Sequence, residues 1–597
     1  MENKINLGLV LLLAGSSALY PQQSAPSAPS ASAWLKAGGS LFNQNYSPLT
    51  QINRQNVAGL KAVWRARLDG SGVGAKYSGE AQPVVYQGVV YIVTGADDVF
   101  ATSVKTGEVI WKYHADLDQT ITTVCCGWTS RGLALGEGKV FVGQLDGRLV
   151  ALDQKSGKTA WSIQAERWQE GYTITAAPLY YDGMIIVGFA GGENGTRGRV
   201  KAYDSKDGRL IWTFYTIPGP GEPGHETWPQ DNDAWKHGGA TVWQTPAVDP
   251  DLDLIYFTTG NPGPDFNGRI RPGNNLYSVS MLAVEAKTGK YRWHFQQVHH
   301  DIWDYDSPNP VILFDVTING RVRKAAAEAS KTGWVYILDR ITGKPLIGID
   351  EKPVLQEPRQ LTSPTQPFPR GDAFVPHEME IAPEDFPLVN QGRIFTPFWT
   401  EGVVAKPSPR GGANWPPSSY DPATNYFYVC GSDSANIFKG GDENQAMPRE
   451  GERFLGGAFG GAPMPGTGIF AALDMKTNRL VWRQAWKESC YSGSVTTAGG
   501  LVFVGRNDGR LTAMDSSNGK RLWEFQTGAG VNAPASVFEY EGDQYVVAYS
   551  AGNQFGGSPR GDSLWLFSLK GTLDPAPPAS ATVSPAANAA PPAGRAQ

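Results

Sequence analysis

Charged residues, cysteines and long apolar runs are all scarce in this 597-residue sequence. Charged residues make up 18% of it, below the roughly 25% typical of soluble domains. The net charge is −5, so the chain has no basic excess that would favour nucleic acid or an anionic membrane. None of the four cysteines belongs to a Cys-x-x-Cys-His motif, so the sequence carries no attachment site for a c-type haem.

The one long apolar run lies near the N-terminus. Lys4 precedes the apolar residues 7–14, and small residues ending in Ala18 follow them. This order is typical of a secretory signal peptide, and the run is too short to span a bilayer; a short membrane anchor is the alternative. Cleavage after Ala18, or later up to Ala33, makes residues 1–33 a leader and predicts a periplasmic or secreted protein. Disulfide bonds are permitted in that compartment.

Glycine, proline and tryptophan are plentiful, with 71, 43 and 19 residues. So many turn-forming residues argue against a helical bundle. One phrase recurs, consisting of a short apolar strand, a turn and a second strand that ends in Trp, which is the pattern of a β-hairpin. Copies lie at 101–111, 151–161, 202–212 and 283–293, with weaker copies at 337–346, 472–482 and 513–523.

These repeats predict an all-β fold of the propeller type. Further strand-like runs precede the hairpins, which gives about four strands for every 40–50 residues, the size of one antiparallel propeller blade. The tryptophan of each blade would pack between neighbouring blades. A strand around residues 62–64 can pair with the C-terminal strands and close the ring, which predicts an eight-bladed β-propeller, with seven blades as the alternative.

The propeller is expected to occupy residues 34–573 as a single domain. The Ala/Pro-rich residues 574–597 are predicted to be a disordered tail. Gly- and Pro-rich excursions at 216–240, 348–400 and 435–467 interrupt the repeats and belong outside the blade cores, where loops usually carry function.

Two of the cysteines, Cys125 and Cys126, are adjacent. Neighbouring Cα atoms are about 3.8 Å apart, closer than the usual 4.4–6.8 Å across a disulfide, so a bond between them is strained and rare. Two separate thiols, or bonds to Cys430 and Cys490, are the alternatives, since four cysteines allow three pairings.

Oxygen-bearing side chains cluster in three motifs. Asp301, Asp304 and Asp306 lie within six residues, which is costly near an apolar wall unless a cation or protons compensate. Glu193 lies in the Gly-rich segment 188–198, where a polar turn is the ordinary interpretation. Asn261 lies in a Thr-Gly-Asn-Pro turn, and its amide oxygen suits a hard cation. The adjacent His299 and His300 would point to opposite faces of a strand, so we expect them to be structural or to support the residues that hold the metal.

With these motifs and the phrase at 45–53, the chain resembles the PQQ-dependent alcohol dehydrogenases over residues 34–570. That family includes methanol dehydrogenase large subunits, quinoprotein ethanol dehydrogenases and membrane glucose dehydrogenases. The resemblance implies that pyrroloquinoline quinone (PQQ) lies between a vicinal disulfide of Cys125 and Cys126 and the indole of Trp243. The residues implied to bind PQQ are Glu80, Cys125, Cys126, Arg131, Thr175, Gly191, Gly192, Trp243, Lys331 and Asn414.

The resemblance also implies a metal ion held by Glu193, Asn261, Asp304 and Asp306. Asp304 is the implied general base, which takes the hydroxyl proton of the alcohol as hydride leaves for the quinone. The metal would polarise the quinone carbonyl as a Lewis acid, and Lys331 would stabilise the charge that develops there.

Several of these positions also have ordinary interpretations or depart from the family. Trp243 taken alone is most simply a core residue, and Lys331 taken alone is a solvated surface lysine. Ala190 stands where the family often has a serine, so one cofactor hydrogen bond is missing. Tyr491 stands in place of a family tryptophan, which alters the pocket.

The identity of the metal depends on Asp306. Many calcium-dependent members carry a small or uncharged residue there, and in alcohol-oxidising branches the extra carboxylate marks lanthanide-dependent enzymes. Sugar-oxidising members share the aspartate without that preference. We therefore expect Ca²⁺, with a lanthanide ion as the alternative.

The expected function is oxidation of a small primary alcohol to an aldehyde, with electrons passed to a separate soluble cytochrome c or similar carrier. A sugar or polyol dehydrogenase is the alternative within the family, and a non-catalytic scaffold propeller is the alternative outside it. No nucleic acid and no integral membrane segment in the mature chain are expected. The substrate's size and a homodimeric assembly stay open.

Overall fold

The computed structural model describes residue 27 and residues 29–380, 388–462 and 464–578. The predicted signal peptide and most of the predicted tail lie outside the described residues. Where the chain is described, it consists of β-strands, turns and short 3-10 helices, and no helix there is long and apolar enough to cross a membrane. The 3-10 helices are Val57–Gly59, Trp168–Glu170, Gly192–Asn194, His225–Thr227, Ala234–His237, Gly268–Ile270 and Asn390–Gly392.

Six sheets in the described residues have four antiparallel strands each. Their strands, sheet by sheet, are Val84–Tyr86, Val89–Val93, Val99–Ser103 and Val109–Tyr113; Ala134–Gly136, Lys139–Gly143, Arg148–Asp153 and Thr159–Gln164; Leu179–Tyr181, Met184–Gly188, Arg199–Asp204 and Leu210–Tyr215; Ala247–Asp249, Leu254–Thr258, Ser280–Glu285 and Tyr291–Gln296; Ser419–Asp421, Tyr426–Asp433, Thr467–Asp474 and Arg479–Trp486; and Ser536–Tyr540, Asp543–Ser550, Ser563–Ser568 and Lys61–Arg67.

Two further sheets differ from these six in the number of their strands. One has four antiparallel strands and a parallel fifth: Ser494–Thr497, Leu501–Gly505, Arg510–Asp515, Arg521–Gln526 and Tyr46–Ser47. The other has three: Ile312–Ile318, Arg321–Ala329 and Val335–Asp339. The predicted hairpin at 337–346 is therefore wrong in its second strand, where only an isolated bridge joins Leu338 to Pro345. Proline has no N–H to donate, so it does not continue a strand ladder.

The remaining sheets are small and lie mostly in the long excursions. Strands Ile349–Pro353 and Thr365–Pro369 pair within the excursion at 348–400. The excursion at 435–467 contributes Asn436–Gly440 and Gly457–Gly461 to a sheet with Val403–Ala405. A further parallel pair, Tyr77–Gly79 with Trp128–Ser130, joins two segments about 50 residues apart.

Tryptophan side chains link successive sheets, as the repeats predicted. The indole N–H of Trp212 donates to the Ala286 carbonyl of the next sheet at 3.0 Å. Gly289 has a φ of +67° and lies against the same indole, where a Cβ atom would be 2.5 Å from Cε3. Equivalent indole-to-carbonyl bonds join Trp64 to Val104, Trp111 to Gln154, Trp161 to Ser205, Trp293 to Arg340, Trp482 to Ser516, and Trp523 to Leu60.

The two ends of the domain meet, and an N-terminal segment lies among the sheets. Strand Lys61–Arg67 pairs antiparallel with Ser563–Ser568, which confirms the predicted pairing of the strand around residues 62–64 with the C-terminal strands. The segment 34–47 touches the first strands of six sheets in chain order, through backbone bonds with Val85, Leu135, Val248, Leu313, Tyr420 and Thr496. First strands that meet around one segment are the arrangement of a propeller axis.

Candidate active site

A buried ion pair marks one side of the candidate site. Strands Tyr77–Gly79 and Trp128–Ser130 run parallel and in register, so the residues that follow them, Glu80 and Arg131, lie side by side. The Arg131 guanidinium is 2.9 Å from the Glu80 carboxylate, and the Asn553 amide donates to the same carboxylate at 2.7 Å. Burial raises the pKa of Glu80, while Arg131 and Asn553 oppose that rise.

Arg131 connects this ion pair to two predicted cofactor residues. Its guanidinium donates to the Thr175 hydroxyl at 2.9 Å and to the Trp243 carbonyl at 3.3 Å. The guanidinium carbon also lies 5.1 Å from the centre of the Trp243 ring and 5.6 Å from that of Trp415. Contacts between a guanidinium and aromatic faces are favourable, so Glu80, Arg131, Thr175 and Trp243 form one connected cluster.

The cysteines are paired as Cys125–Cys126 and Cys430–Cys490. Of the alternatives that the sequence left open, the structure thus has the bond between neighbours. Cys126 is exposed and has a φ of +66°. The segment before it contacts the residue that follows Glu193, because the Asn194 side chain donates to the Thr123 carbonyl at 3.2 Å.

Asp304 and Asp306 lie on a loop that Asp301 holds. The Asp301 carboxylate accepts the backbone N–H of Trp303 at 2.9 Å and of Tyr305 at 2.8 Å. Asp304, between those two residues, has a φ of +60°, which is uncommon for a residue with a side chain. Asp301 thus acts as a structural support, a role that the sequence motif did not reveal.

Lys331 bridges the two aspartates. Its ammonium is 2.8 Å from an Asp304 oxygen and 2.6 Å from an Asp306 oxygen, and the lysine is 4% exposed. Burial alone would lower the pKa of Lys331, but the Asp304 and Asp306 carboxylates raise it above the ordinary value. Burial raises the pKa of Asp304 well above its ordinary value, and Lys331 opposes that rise. The interpretation of Lys331 as a solvated lysine is therefore wrong.

Gly260 is the point at which the two clusters meet. A Cβ atom on Gly260 would lie 2.8 Å from an Asp306 oxygen and 3.3 Å from the Trp243 indole nitrogen. The same Asp306 oxygen accepts the backbone N–H of Asn261 at 2.6 Å. The Arg131–Trp243 cluster and the aspartates that contact Lys331 therefore line one wall of the candidate site. Gly260, which has no side chain, leaves room for both in this wall.

Glu193 approaches this wall from another sheet. Gly191, with a φ of +115°, starts the 3-10 helix Gly192–Asn194 that carries the glutamate. Burial raises the pKa of Glu193, and the nearby Asp306 carboxylate raises it further. Asn414 is placed by the glycine loop before it, because Gly412 and Ala413 donate backbone N–H groups to the Lys331 and Ser330 carbonyls at 2.7 and 3.2 Å.

The predicted metal residues carry suitable oxygen atoms, but two of them, Asp304 and Asp306, contact a lysine. Within the described part of the chain, no three Asp, Glu, His or Cys side chains converge into a coordination shell as they stand. The Lys331 ammonium lies between Asp304 and Asp306, where its single positive charge offsets part of their negative charge. Carboxylate and amide oxygens are the ligands of hard cations, so a cation that replaced Lys331 at Asp306 would find a fitting donor set.

The histidines of the motif lie outside this wall. His300 is buried, and its ring nitrogens contact the carbonyls of Gly273 and Gln360, both at 2.7 Å. Burial lowers the pKa of His300 to about 4. His299 contacts Gln296 and Glu351 instead. Both histidines have structural partners, but they lie in a turn and not on the strand that we expected.

Four residues in or beside the site were not assigned to it from the sequence. Trp415 directly follows Asn414, and the Gly-Gly-Ala-Asn-Trp phrase could have suggested it. Asn553 is more than 400 residues away from Glu80, and no local pattern indicates that contact. Asp301 was seen in its motif without a role. Asp265 follows Asn261 by four residues without any recognisable signal.

A family comparison assigns this fold to the propeller dehydrogenases of the quinoprotein class. Residues 34–467, well over half of the chain, match the family model described as PQQ, glucose/ethanol/alcohol dehydrogenase, β-propeller domain, and the chain belongs to this family. Residues 460–572 match a second propeller model, described as outer membrane protein assembly factor BamB.

Similar proteins cover nearly the whole chain. The quinoprotein alcohol dehydrogenase PedH of Pseudomonas putida is 35% identical over 565 residues, which is 89% of this chain and 90% of that protein. The putative dehydrogenase XoxF of Paracoccus denitrificans is 30% identical over 92% of each chain. The solved structure of a europium-containing methanol dehydrogenase superposes with a TM-score of 0.76 at 28% identity, covering 90% of this chain and 98% of that one.

Proposed function

We propose that this chain oxidises a primary alcohol to an aldehyde with PQQ and one metal ion, and passes the electrons to a separate cytochrome c. The observation that carries the proposal is the shared wall at Gly260, where the Trp243 indole and the Asp306 carboxylate flank one glycine. A planar cofactor on the indole would therefore lie next to the acidic residues. Family membership and the printed names of the relatives support the alcohol as substrate.

Two buried donors fit an anionic, planar ligand. The Arg131 Nε and the Trp415 Nε1 atoms are buried and have no hydrogen-bond partner. Leaving such donors unpaired is unfavourable, so a ligand with carboxylate or carbonyl oxygens would be stabilised there. We assign Glu80, Arg131, Thr175 and Trp243 to the cofactor, with the Cys125–Cys126 disulfide facing Trp243. Gly191, Gly192, Lys331 and Asn414 complete the proposed cofactor contacts.

The proton chemistry falls to Asp304. PQQ supplies a two-electron oxidant when bound, and the cation supplies Lewis-acid polarisation. Asp304 accepts the hydroxyl proton of the alcohol, and the Lys331 ammonium, 2.8 Å away, orients the carboxylate and opposes the rise of its pKa that burial causes. Glu193, Asn261, Asp304 and Asp306 would hold the cation, with Ca²⁺ as the default and a lanthanide ion as the alternative.

The number of blades and the cellular compartment are part of the same proposal. The six four-stranded sheets, the five-stranded sheet and the three-stranded sheet would form eight blades around the segment 34–47. The N-terminal run predicts a signal peptide and a periplasmic enzyme. The absence of a Cys-x-x-Cys-His motif from the sequence favours a separate carrier protein as electron acceptor.

A substrate panel tests the proposal. The protein reconstituted with PQQ and either Ca²⁺ or La³⁺ is assayed with a redox dye against short primary alcohols and against sugars and polyols. We expect fast oxidation of the alcohols. Preference for sugars or polyols would support the alternative within the family, and no oxidation of any of them by folded, cofactor-loaded protein would contradict the proposal.

A further inference from the structure

Asp265 is a buried carboxylate beside the proposed metal residues. It is 3% exposed, and its Oδ1 atom has no hydrogen-bond partner. A buried carboxylate oxygen without a donor is costly, and most such groups in proteins are satisfied. A cation bound at this oxygen would remove that cost.

The backbone places Asp265 next to Glu193. The Phe454 N–H donates to the Glu193 carbonyl at 2.7 Å, and the Phe266 N–H donates to the Leu455 carbonyl at 2.8 Å. The neighbouring residues 454 and 455 thus join the segment of Glu193 to the segment of Asp265. Gly263 also lies close to the Glu193 segment, because a Cβ atom there would be 3.6 Å from the Gly192 carbonyl oxygen.

The electrostatic surroundings of Asp265 are the acidic residues of the site. Burial raises the pKa of Asp265 well above its ordinary value, and the charges of Glu193 and Asp306 raise it further. A hydrogen bond with the Asn261 side chain opposes this rise. Arg271, the buried cation nearby, directs its donors to the carbonyls of Pro264 and Asp301 and to the Asn275 amide oxygen instead.

We propose that Asp265 is a fifth oxygen-donor residue of the cation site and shifts its preference toward trivalent cations. The inference rests on the proposed cofactor site. With Asp265, the site has four carboxylates, of which two contact the single ammonium of Lys331, so their combined negative charge is balanced more fully by a trivalent than by a divalent hard cation.

Terbium binding tests this directly. The full-length protein is loaded with PQQ and titrated with Tb³⁺, whose luminescence the nearby Trp243 indole sensitises, and Ca²⁺ is titrated in competition. In Asp265→Asn, which keeps the shape but loses the charge, we expect Tb³⁺ affinity to fall about 10- to 100-fold and Ca²⁺ affinity to fall less. Asp265→Ser should show the same losses of affinity, and it replaces Asp265→Asn in the test if the new amide disturbs packing.

Asp97→Asn is the matched control. Asp97 is also buried with an unpartnered Oδ1 atom, but the charged residues around it are Asp98, Asp146 and Arg148, so this variant should keep the wild-type ratio of affinities. Wild-type Tb³⁺ affinity in both Asp265 variants, or an equal loss for Tb³⁺ and Ca²⁺, would overturn the role of Asp265 and leave the cofactor site standing. A PQQ-loaded wild type that binds neither cation would overturn both proposals.

Discussion

At the scale of single residues, Asp304 is the group on which the proposed chemistry depends. Its backbone is in the left-handed region, its neighbours' N–H groups are held by Asp301, and its carboxylate contacts Lys331 at 2.8 Å. A residue fixed on so many sides keeps one orientation, which is what a general base requires.

Asp304→Asn removes the base and keeps an oxygen for Lys331. We expect turnover with alcohol to fall about 10²- to 10⁴-fold, the usual contribution of a positioned base, while PQQ still binds. Steady-state kinetics together with quenching of tryptophan fluorescence by PQQ measure both quantities. Near-normal turnover in the variant would rule out Asp304 as the base.

Glu328 should make stability depend on pH. The glutamate is fully buried, its oxygens accept the Gln297 amide and the Asn309 N–H, and burial raises its pKa to about 8. Between its ordinary value of 4.5 and about 8, the folded chain retains a proton that the unfolded chain releases. The free energy of unfolding therefore falls as pH rises through this window, by at most about 1.4 kcal/mol per pH unit.

Glu328→Gln should flatten that dependence. The Gln297 amide can rotate to present its oxygen, which is buried without a partner, to the new amide. Thermal midpoints between pH 5 and pH 8 should decline less in Glu328→Gln than in the wild type, and the exposed Glu108→Gln serves as control. An unchanged slope would contradict the raised pKa.

At the scale of elements, the contact between a turn glycine and a tryptophan holds neighbouring sheets together. Gly289 and Gly183 both have a positive φ, +67° and +76°, but only Gly289 lies against an indole, that of Trp212; nothing lies within 4 Å of a Cβ on Gly183. Both alanine variants incur the left-handed backbone strain of about 1–2 kcal/mol. Gly289→Ala must also displace the indole, which costs about 1–3 kcal/mol more.

Chemical denaturation of the two variants measures this difference. The free energy of unfolding of Gly289→Ala should be lower than that of Gly183→Ala by about 1–3 kcal/mol, the cost of displacing the indole. Equal stability would show that the indole contact does not contribute to the join between sheets.

The elements also show what the sequence could predict. The hairpins with Trp and a Gly turn were predictable, because the signal for a hairpin is local; the copy at 337–346 failed because Pro345 removes a donor. The contact between Glu80 and Arg131 depends on a parallel pair of three-residue strands about 50 residues apart. No local periodicity encodes such a pair, so only the family resemblance pointed to these residues, and Asp265 and Asn553 were not found.

At the scale of the molecule, stability depends on the closing sheet. Strand Ser563–Ser568 lies between Lys61–Arg67 and Asp543–Ser550, so its removal exposes two buried strand edges. A chain that ends at residue 562 should lack a cooperative melting transition and aggregate. A chain that ends at residue 578 retains every described contact and should melt like the full chain; comparable melting of the shorter chain would contradict the role of closure.

The requirement for PQQ is the most direct test of the whole account. Cofactor-free wild-type protein is mixed with PQQ and a cation, Ca²⁺ or La³⁺, and alcohol-dependent dye reduction is followed as PQQ is added. We predict no turnover without PQQ, turnover that saturates at one PQQ per chain, and loss of turnover in Asp304→Asn at the same PQQ occupancy. Turnover that is independent of PQQ, or its absence in folded protein saturated with PQQ and cation, would contradict the account.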